Sequence, residues 1–235
     1  MTRIIRTCED GSFTIYDERF MECYHSNFSA VKESLHNFLD CGLKLRMQED
    51  NIKYINIFEM GFGTGLNTLI TLLESFTNED LKDIPVYYES LEKYPLSETE
   101  WSALAYHNEL AEHFSLKTNE IETIYKRILS AEWDKKVALS DNFTLKKRCC
   151  DISDYSFSRS FDLVYYDAFS PNTQPELWSE DIFSKIYNNL NSNAILTTYS
   201  SKGSVKTALR NSGFEVKRIT GVGRKKHIVR AVKLP

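Results

Sequence analysis

The sequence predicts a doubly wound α/β sheet, mostly parallel, that closes on an antiparallel pair of strands. Three observations carry this. A strand-like run at 54–59 leads into a turn with Gly61, Gly63 and Gly65 at alternate positions, and helical spacing follows over 66–76. Apolar or β-branched runs at 86–91, 143–147, 161–166 and 194–199 are interleaved with helical patterns, as expected for strands joined by crossover helices. The last two strand patterns, 214–219 and 227–232, flank TGVGRKK, a loop or hairpin connection.

In chain order, residues 1–50 read as an N-terminal extension packed on the core, and 51–235 as the main domain. Within the extension, a helix over 29–41 places Val31, Leu35, Phe38 and Leu39 on one face, with Gly42 as its stop. YINIFE at 54–59 is the first core strand. VYYESL at 86–91 has strand composition. The stretch 97–128 is mostly helical, and a helical insert is placed at about 97–133. FTLKK at 143–147 alternates. FDLVYY at 161–166 is nearly all apolar, as befits a strand covered on both faces. Helices at 175–189 and 202–211 complete the pattern, the second ended by Gly213.

Composition narrows the class. The five cysteines are odd in number and contain no C-x-x-C pair, which argues against a disulfide framework and a zinc site and for a reducing compartment. No metal is expected. Glu9 and Asp10 interrupt any signal-peptide core, and no apolar stretch approaches the ~18–20 residues that cross a bilayer. A cytoplasmic protein without membrane contact is expected. The net charge of −4 conceals a polarity: residues 201–235 hold ten basic side chains against Glu215 alone, a net of +9 on an acidic body. Such a surface suits contact with a polyanion at one place, or is a solvated basic helix and edge strand.

The glycine turn reads E-x-G-x-G-x-G and continues into Leu66 and Asn67. A dinucleotide fingerprint, G-x-G-x-x-G/A, fits poorly, because the third glycine comes one residue early. Glu59 before the turn suits a ligand that bears an amino-acid ammonium. Glu92, 27 residues after Gly65, is placed to bind ribose hydroxyls, and Asp151 could receive an adenine amino group. With Asp167 these make four acidic groups at successive strand ends, where ligands of open α/β sheets bind. A lone acid there is usually a turn former or cap; the set of four favours S-adenosylmethionine over a dinucleotide. Asp167 and Phe169 then suit methyl transfer to nitrogen: the carboxylate can orient an amine and stabilise developing charge, and the ring can flank the acceptor.

Several blocks together resemble the tRNA 5-(methylaminomethyl)-2-thiouridine methyltransferase family: D-G-S-F-T-I-Y with Y-H-S and E-S-L-H (10–36), E-M-G-F-G-T-G-L-N (59–67), Y-E-S-L-E-K-Y-P-L (88–96) and D-L-V-Y-Y-D-A-F-S-P-N-T-Q-P-E-L-W (162–178). T-T-Y-S-S-K-G (197–203) and G-F-E-V from Gly213 also fit. Met60 stands where a smaller aliphatic residue is more typical. The resemblance implies a class I, Rossmann-like methyltransferase, the stand-alone counterpart of one half of a bifunctional tRNA-modifying enzyme. It implies methylation of the exocyclic amine of 5-aminomethyl-2-thiouridine at the tRNA wobble position. The other half of the bifunctional enzyme uses FAD; no second nucleotide-binding fingerprint is present here, so no flavin is expected, and another enzyme must supply the aminomethyl intermediate.

By matching motif, Gly61, Gly63, Gly65 and Asn67 would line the cofactor's amino-acid part, Glu92 the ribose and Asp151 the adenine end. Asp167 would stand between sulfonium and amine. Tyr16, Tyr24, His25 and Ser26 would help close the site; His25 is either a general base or a hydrogen-bonded structural histidine. Lys202, Arg224, Lys225 and Lys226 would neutralise phosphates of an anticodon stem-loop while the wobble base enters beside Phe169. Trp178 and Tyr199 are further stacking candidates, although buried aromatics of this kind are more often core. The alternatives are a small-molecule methyl- or aminopropyltransferase, a dinucleotide-dependent oxidoreductase, and a non-catalytic RNA-binding module.

Overall fold

A computed structural model describes residues 2–9, 11–25, 29–49, 51–223 and 225–235. The chain opens with β1 (Arg3–Thr7), β2 (Phe13–Asp17) and β3 (Glu22–Cys23), then α1 (Ala30–Ser34), which runs on as a wider π-type coil over Leu35–Lys44. Next come β4 (Ile55–Met60), α2 (Leu66–Thr77), β5 (Val86–Glu92), α3 (Glu98–Trp101), α4 (His107–Phe114) and α5 (Thr118–Ser130). Strands β6 (Lys136–Ala138), β7 (Phe143–Cys149) and β8 (Phe161–Tyr166) precede a 3-10 turn at Pro175–Trp178 and α6 (Glu180–Tyr187). The chain ends with β9 (Leu190–Thr198), α7 (Gly203–Asn211), β10 (Glu215–Thr220) and β11 (His227–Val232).

The large sheet has the order β10-β11-β9-β8-β4-β5-β7-β6. Its centre, β9 through β7, is parallel. β11 pairs antiparallel with both β10 and β9, which gives the expected terminal pair. β6, which the sequence pattern did not reveal, pairs antiparallel with β7 at the other edge. From β4 the chain first builds outward through β5 and β7, then returns to place β8 on the opposite side. The crevice above the carboxyl ends of β4 and β8 is therefore the topological switch point, where α/β sheets bind ligands.

Alternation along the strands feeds two cores. Ile55, Ile57, Val86, Tyr88, Leu163 and Tyr165 face one side, where α2, α4, α5 and the first helix pack. Phe58, Met60, Tyr87, Leu91, Val164 and Tyr166 face the other, under α6 and α7. Helices thus cover both faces, which explains why the central strands read as continuous apolar runs.

The N-terminal residues contribute to the first core: Ile15, Val31, Phe38, Leu39 and Leu43 are buried in it. Strands β1 to β3 form a separate antiparallel sheet that the sequence did not disclose. Arg3 ties this sheet to the segment after β5: its guanidinium donates to Asp17 at 2.9 Å, to the Pro95 carbonyl at 3.1 Å and to Glu100 at 3.1 Å. Gly42 does not end its helix. It lies within the π-type coil, and a Cβ there would sit 3.2 Å from the Tyr165 ring and 3.4 Å from Leu163 and Thr197. Its small size lets the coil lie against β8 and β9, so its role is close packing. Gly42→Val should lower stability by about 1–3 kcal/mol through overpacking, read as a lower midpoint in urea unfolding with the slope unchanged.

Candidate active site

The turn between β4 and α2 is pinned to both neighbouring strands. The amides of Gly61 and Phe62 donate to the Leu91 carbonyl at 3.0 Å, and the Asp167 amide donates to the Met60 carbonyl at 2.9 Å. Gly61 has φ 93°, and a Cβ on it would fall 2.7 Å from the Asp167 carbonyl oxygen. A side chain there would both strain the backbone and push β8 away. Gly63 meets the Tyr24 ring in the same way, at 3.0 Å. Gly65 caps α2 in the left-handed conformation.

Above this turn lies a cavity of about 620 Å³. Its floor is Gly61, Gly63 and Asn67; Glu92 and Asp151 stand on one side, and Asp167 and Phe169 on the other. Tyr16, Tyr24 and His25 reach it from the N-terminal sheet and the segment that follows. The structure therefore brings together most of the residues singled out from sequence.

Each carboxylate has its own environment. Glu92 accepts the Gly63 amide at 3.0 Å and the Tyr94 amide at 2.8 Å; burial raises its pKa, and these donors partly offset that. Asp151 accepts from Lys93 at 2.8 Å and from the Ser153 amide and hydroxyl at 2.9 Å. Burial would raise its pKa, but these donors outweigh it and hold the carboxyl at about 2. Asp167 accepts from the Asn67 amide group at 2.9 Å. Burial lifts its pKa to about 6, against the opposing pull of Asn67 and Lys225. A group poised there can exchange a proton near neutrality.

His25 is set between Thr14, whose hydroxyl accepts its amide at 3.0 Å, and Thr64, whose hydroxyl lies 2.8 Å from Nε2. Burial, with Lys225 assisting, depresses its pKa to about 4, so the ring is neutral at pH 7. Phe169 belongs to an aromatic group that includes the expected Tyr24, 5.0 Å away between ring centroids, and two members sequence reasoning missed: Phe20 lies 4.6 Å from Phe169, and Tyr94 lies 5.7 Å from Phe20. Tyr94 was legible within the Y-E-S-L-E-K-Y block; Phe20 had no distinguishing signal.

Several expectations change with placement. Glu59 is fully buried beneath the turn, and Met60 and Gly61, not Glu59, form the wall. Its Oε2 accepts from Ser90 at 2.6 Å and Thr68 at 3.4 Å, while Oε1 has no partner. Gly65 likewise lies off the wall. Trp178 is buried in the second core and donates from Nε1 to the Phe169 carbonyl at 2.8 Å, so it supports the Phe169 backbone from behind. Lys202 and Lys226 are exposed and away from the cavity, whereas Lys225 turns inward to it. Ser26 and Arg224 lie outside the described residues.

A family model described as S-adenosyl-L-methionine-dependent methyltransferase matches residues 115–234. The chain belongs to that family. The matched part carries Asp151, Asp167 and Phe169; the glycine turn precedes it. The chain is 27% identical over 231 residues to the tRNA 5-methylaminomethyl-2-thiouridine biosynthesis bifunctional protein MnmC of Vibrio campbellii, covering 92% of this chain and 33% of that protein. It is 30% identical over 220 residues to the protein of the same name from Nitrosospira multiformis, covering 92% and 34%. The crystal structure of MnmC2 from Aquifex aeolicus matches with a TM-score of 0.78 at 28% identity, over 100% of this chain and 72% of that one. The chain spans about a third of the length of the curated relatives it matches.

The residues present fit S-adenosylmethionine. Glu92 lines the cavity with a carboxylate beside the turn, and Asn67, on the floor, leaves a buried Oδ1 without a partner. Among the described residues no group of His, Cys, Asp and Glu could hold a metal, and no helix is long and apolar enough to cross a membrane.

Glu59 supplies a test of the turn's electrostatics. Burial raises its pKa to about 8 from an ordinary 4.5. The folded state then holds a proton that the unfolded chain releases, so stability falls as pH rises from about 4.5 towards 8. Glu59→Gln, neutral at every pH, should flatten that slope in thermal melts of the free protein between pH 5 and 8; a slope equal to wild type would refute the assignment.

Proposed function

We propose that this chain methylates the exocyclic amine of 5-aminomethyl-2-thiouridine at the tRNA wobble position, giving 5-methylaminomethyl-2-thiouridine. The observation that carries this reading is the placement of Asp167: a carboxylate held by Asn67 from the glycine-turn helix, facing a cavity walled by Phe169. The names of the MnmC relatives supply the substrate. The reading sets the reaction in the cytoplasm, on the anticodon stem-loop, after another enzyme has made the aminomethyl group. Neither flavin nor metal enters it.

In this scheme Gly61, Gly63 and Asn67 receive the amino-acid end of S-adenosylmethionine, Glu92 the ribose and Asp151 the adenine. Glu59 acts on that end through Ser90, Thr68 and the turn. The cofactor supplies an electrophilic methyl on a sulfonium. Asp167 accepts a hydrogen bond from the acceptor amine and holds its lone pair towards that methyl. Transfer of that methyl would leave positive charge on the acceptor nitrogen. The Asp167 carboxylate stabilises it and takes the departing proton. Phe169, Phe20 and Tyr24 supply aromatic surface whose ring faces can stabilise the same cation. Tyr16 and His25 close the cavity from the N-terminal side; His25, neutral and bonded to Thr64, positions rather than titrates. Lys202 and Lys226, exposed outside the cavity, serve phosphates of the stem-loop.

Two readouts test this. Nucleoside mass spectrometry should detect the methylaminomethyl product when tRNA carrying the aminomethyl group is incubated with protein and S-adenosylmethionine. Asp167→Asn should keep cofactor affinity while kcat falls about 100-fold or more. Protonation of the amine makes kcat/KM decline with falling pH in both proteins. Below about pH 6 the wild-type decline should steepen as Asp167 protonates, and the Asn variant should lack that second break. Product formation by the variant at the wild-type rate would contradict the role of Asp167.

A further inference from the structure

We infer that Glu33 and Lys225 together read the Watson–Crick edge of the acceptor base and select uracil over cytosine, an inference that rests on the wobble-uridine reading above. The two residues are 192 positions apart and come from different layers: Glu33 from α1, Lys225 from the connection between β10 and β11. Lys225 Nζ lies 2.8 Å from Glu33 Oε2, and both side chains line the cavity that also holds Asp167 and Phe169. Glu33 is only 8% exposed. Lys225 Nζ also sits 4.6 Å from the centroid of the Tyr199 ring. The Tyr199 hydroxyl donates at 2.8 Å to the carbonyl of Ala168, the residue between Asp167 and Phe169. The ion pair is thereby tied to the strand end that carries the acceptor chemistry. The charge of Lys225 is felt there, since it helps pull the Asp167 and His25 pKa values down.

The chemistry of the pair is one acceptor beside one donor. A carboxylate can only accept hydrogen bonds, and an ammonium can only donate them. Uracil presents an N3–H donor next to an O4 acceptor; cytosine presents an N3 acceptor next to an N4 donor. Glu33 facing N3–H and Lys225 facing O4 match uracil at both points and oppose cytosine at both. The C4 carbonyl adjoins C5, which bears the aminomethyl arm. A base held at O4 therefore extends that arm from the neighbouring carbon, on the side where the Ala168 link places Asp167. This reading also explains why Lys225 points inward while its neighbour Lys226 is exposed.

The test uses two anticodon stem-loops that differ only in the wobble nucleoside, 5-aminomethyluridine or 5-aminomethylcytidine. Wild-type protein should prefer the uridine by about 10- to 100-fold in kcat/KM. Glu33→Gln, whose amide can donate or accept, and Lys225→Met, which keeps the stem without the donor, should each bring the preference to within about threefold. Cofactor affinity, measured by calorimetry, should match wild type in both and certifies their folding. If wild type is active and both variants keep its preference, this inference falls alone. If wild type methylates neither stem-loop, the wobble-uridine reading falls and takes this one with it.

Discussion

The approach of Gly61 to the carbonyl of Asp167 is the constraint on which the site depends. At 2.7 Å from an imagined Cβ there is room for hydrogen and nothing else. That approach lets the turn after β4 reach the end of β8, where the Asp167 amide donates to Met60 at 2.9 Å. The turn's other edge is held by the Leu91 carbonyl, which brings the end of β5 and Glu92 into the same crevice. One glycine therefore fixes the separation between the turn that floors the cavity and the Asp167 carboxylate, the distance on which the proposed methyl transfer depends. In-line displacement tolerates little error in that separation.

Around the turn the protein concentrates acids and then separates their behaviour. Glu59 and Asp167 are pushed up by burial, to about 8 and about 6, while Asp151 is held at about 2 by Lys93 and Ser153. A neutral Glu59 under the floor, an anionic Asp151 on one side of the cavity and a titratable Asp167 on the other, beside Phe169, form a graded set. Such divergence among neighbouring carboxyls is how one site combines binding with proton handling. The N-terminal sheet completes the enclosure, and Arg3 anchors it by bonds to Asp17, Pro95 and Glu100.

Much of this was legible in the sequence because the central strands are covered on both faces. Phe161–Tyr166 and His227–Val232 stand where their strand patterns placed them. The glycine turn and the acids at the strand ends announced the crevice for the same local reason. What was not legible depends on contacts between distant segments. Gly42 reads as a helix stop until Tyr165 is seen against it. Strands β1 to β3 are short and partly exposed, so their alternation is weak. The charge of Lys225 was evident, but its direction depends on Glu33, 192 residues away. Glu59 was placed on the ligand because sequence order cannot distinguish the wall of a cavity from the layer beneath it.

The most direct test of the central claim is a crystal structure of this protein with S-adenosylhomocysteine. The account predicts the ligand above Gly61 and Gly63, its ribose hydroxyls within hydrogen-bonding distance of Glu92 and its sulfur turned towards Asp167. A ligand bound elsewhere, or one whose sulfur faces away from Asp167, would contradict it.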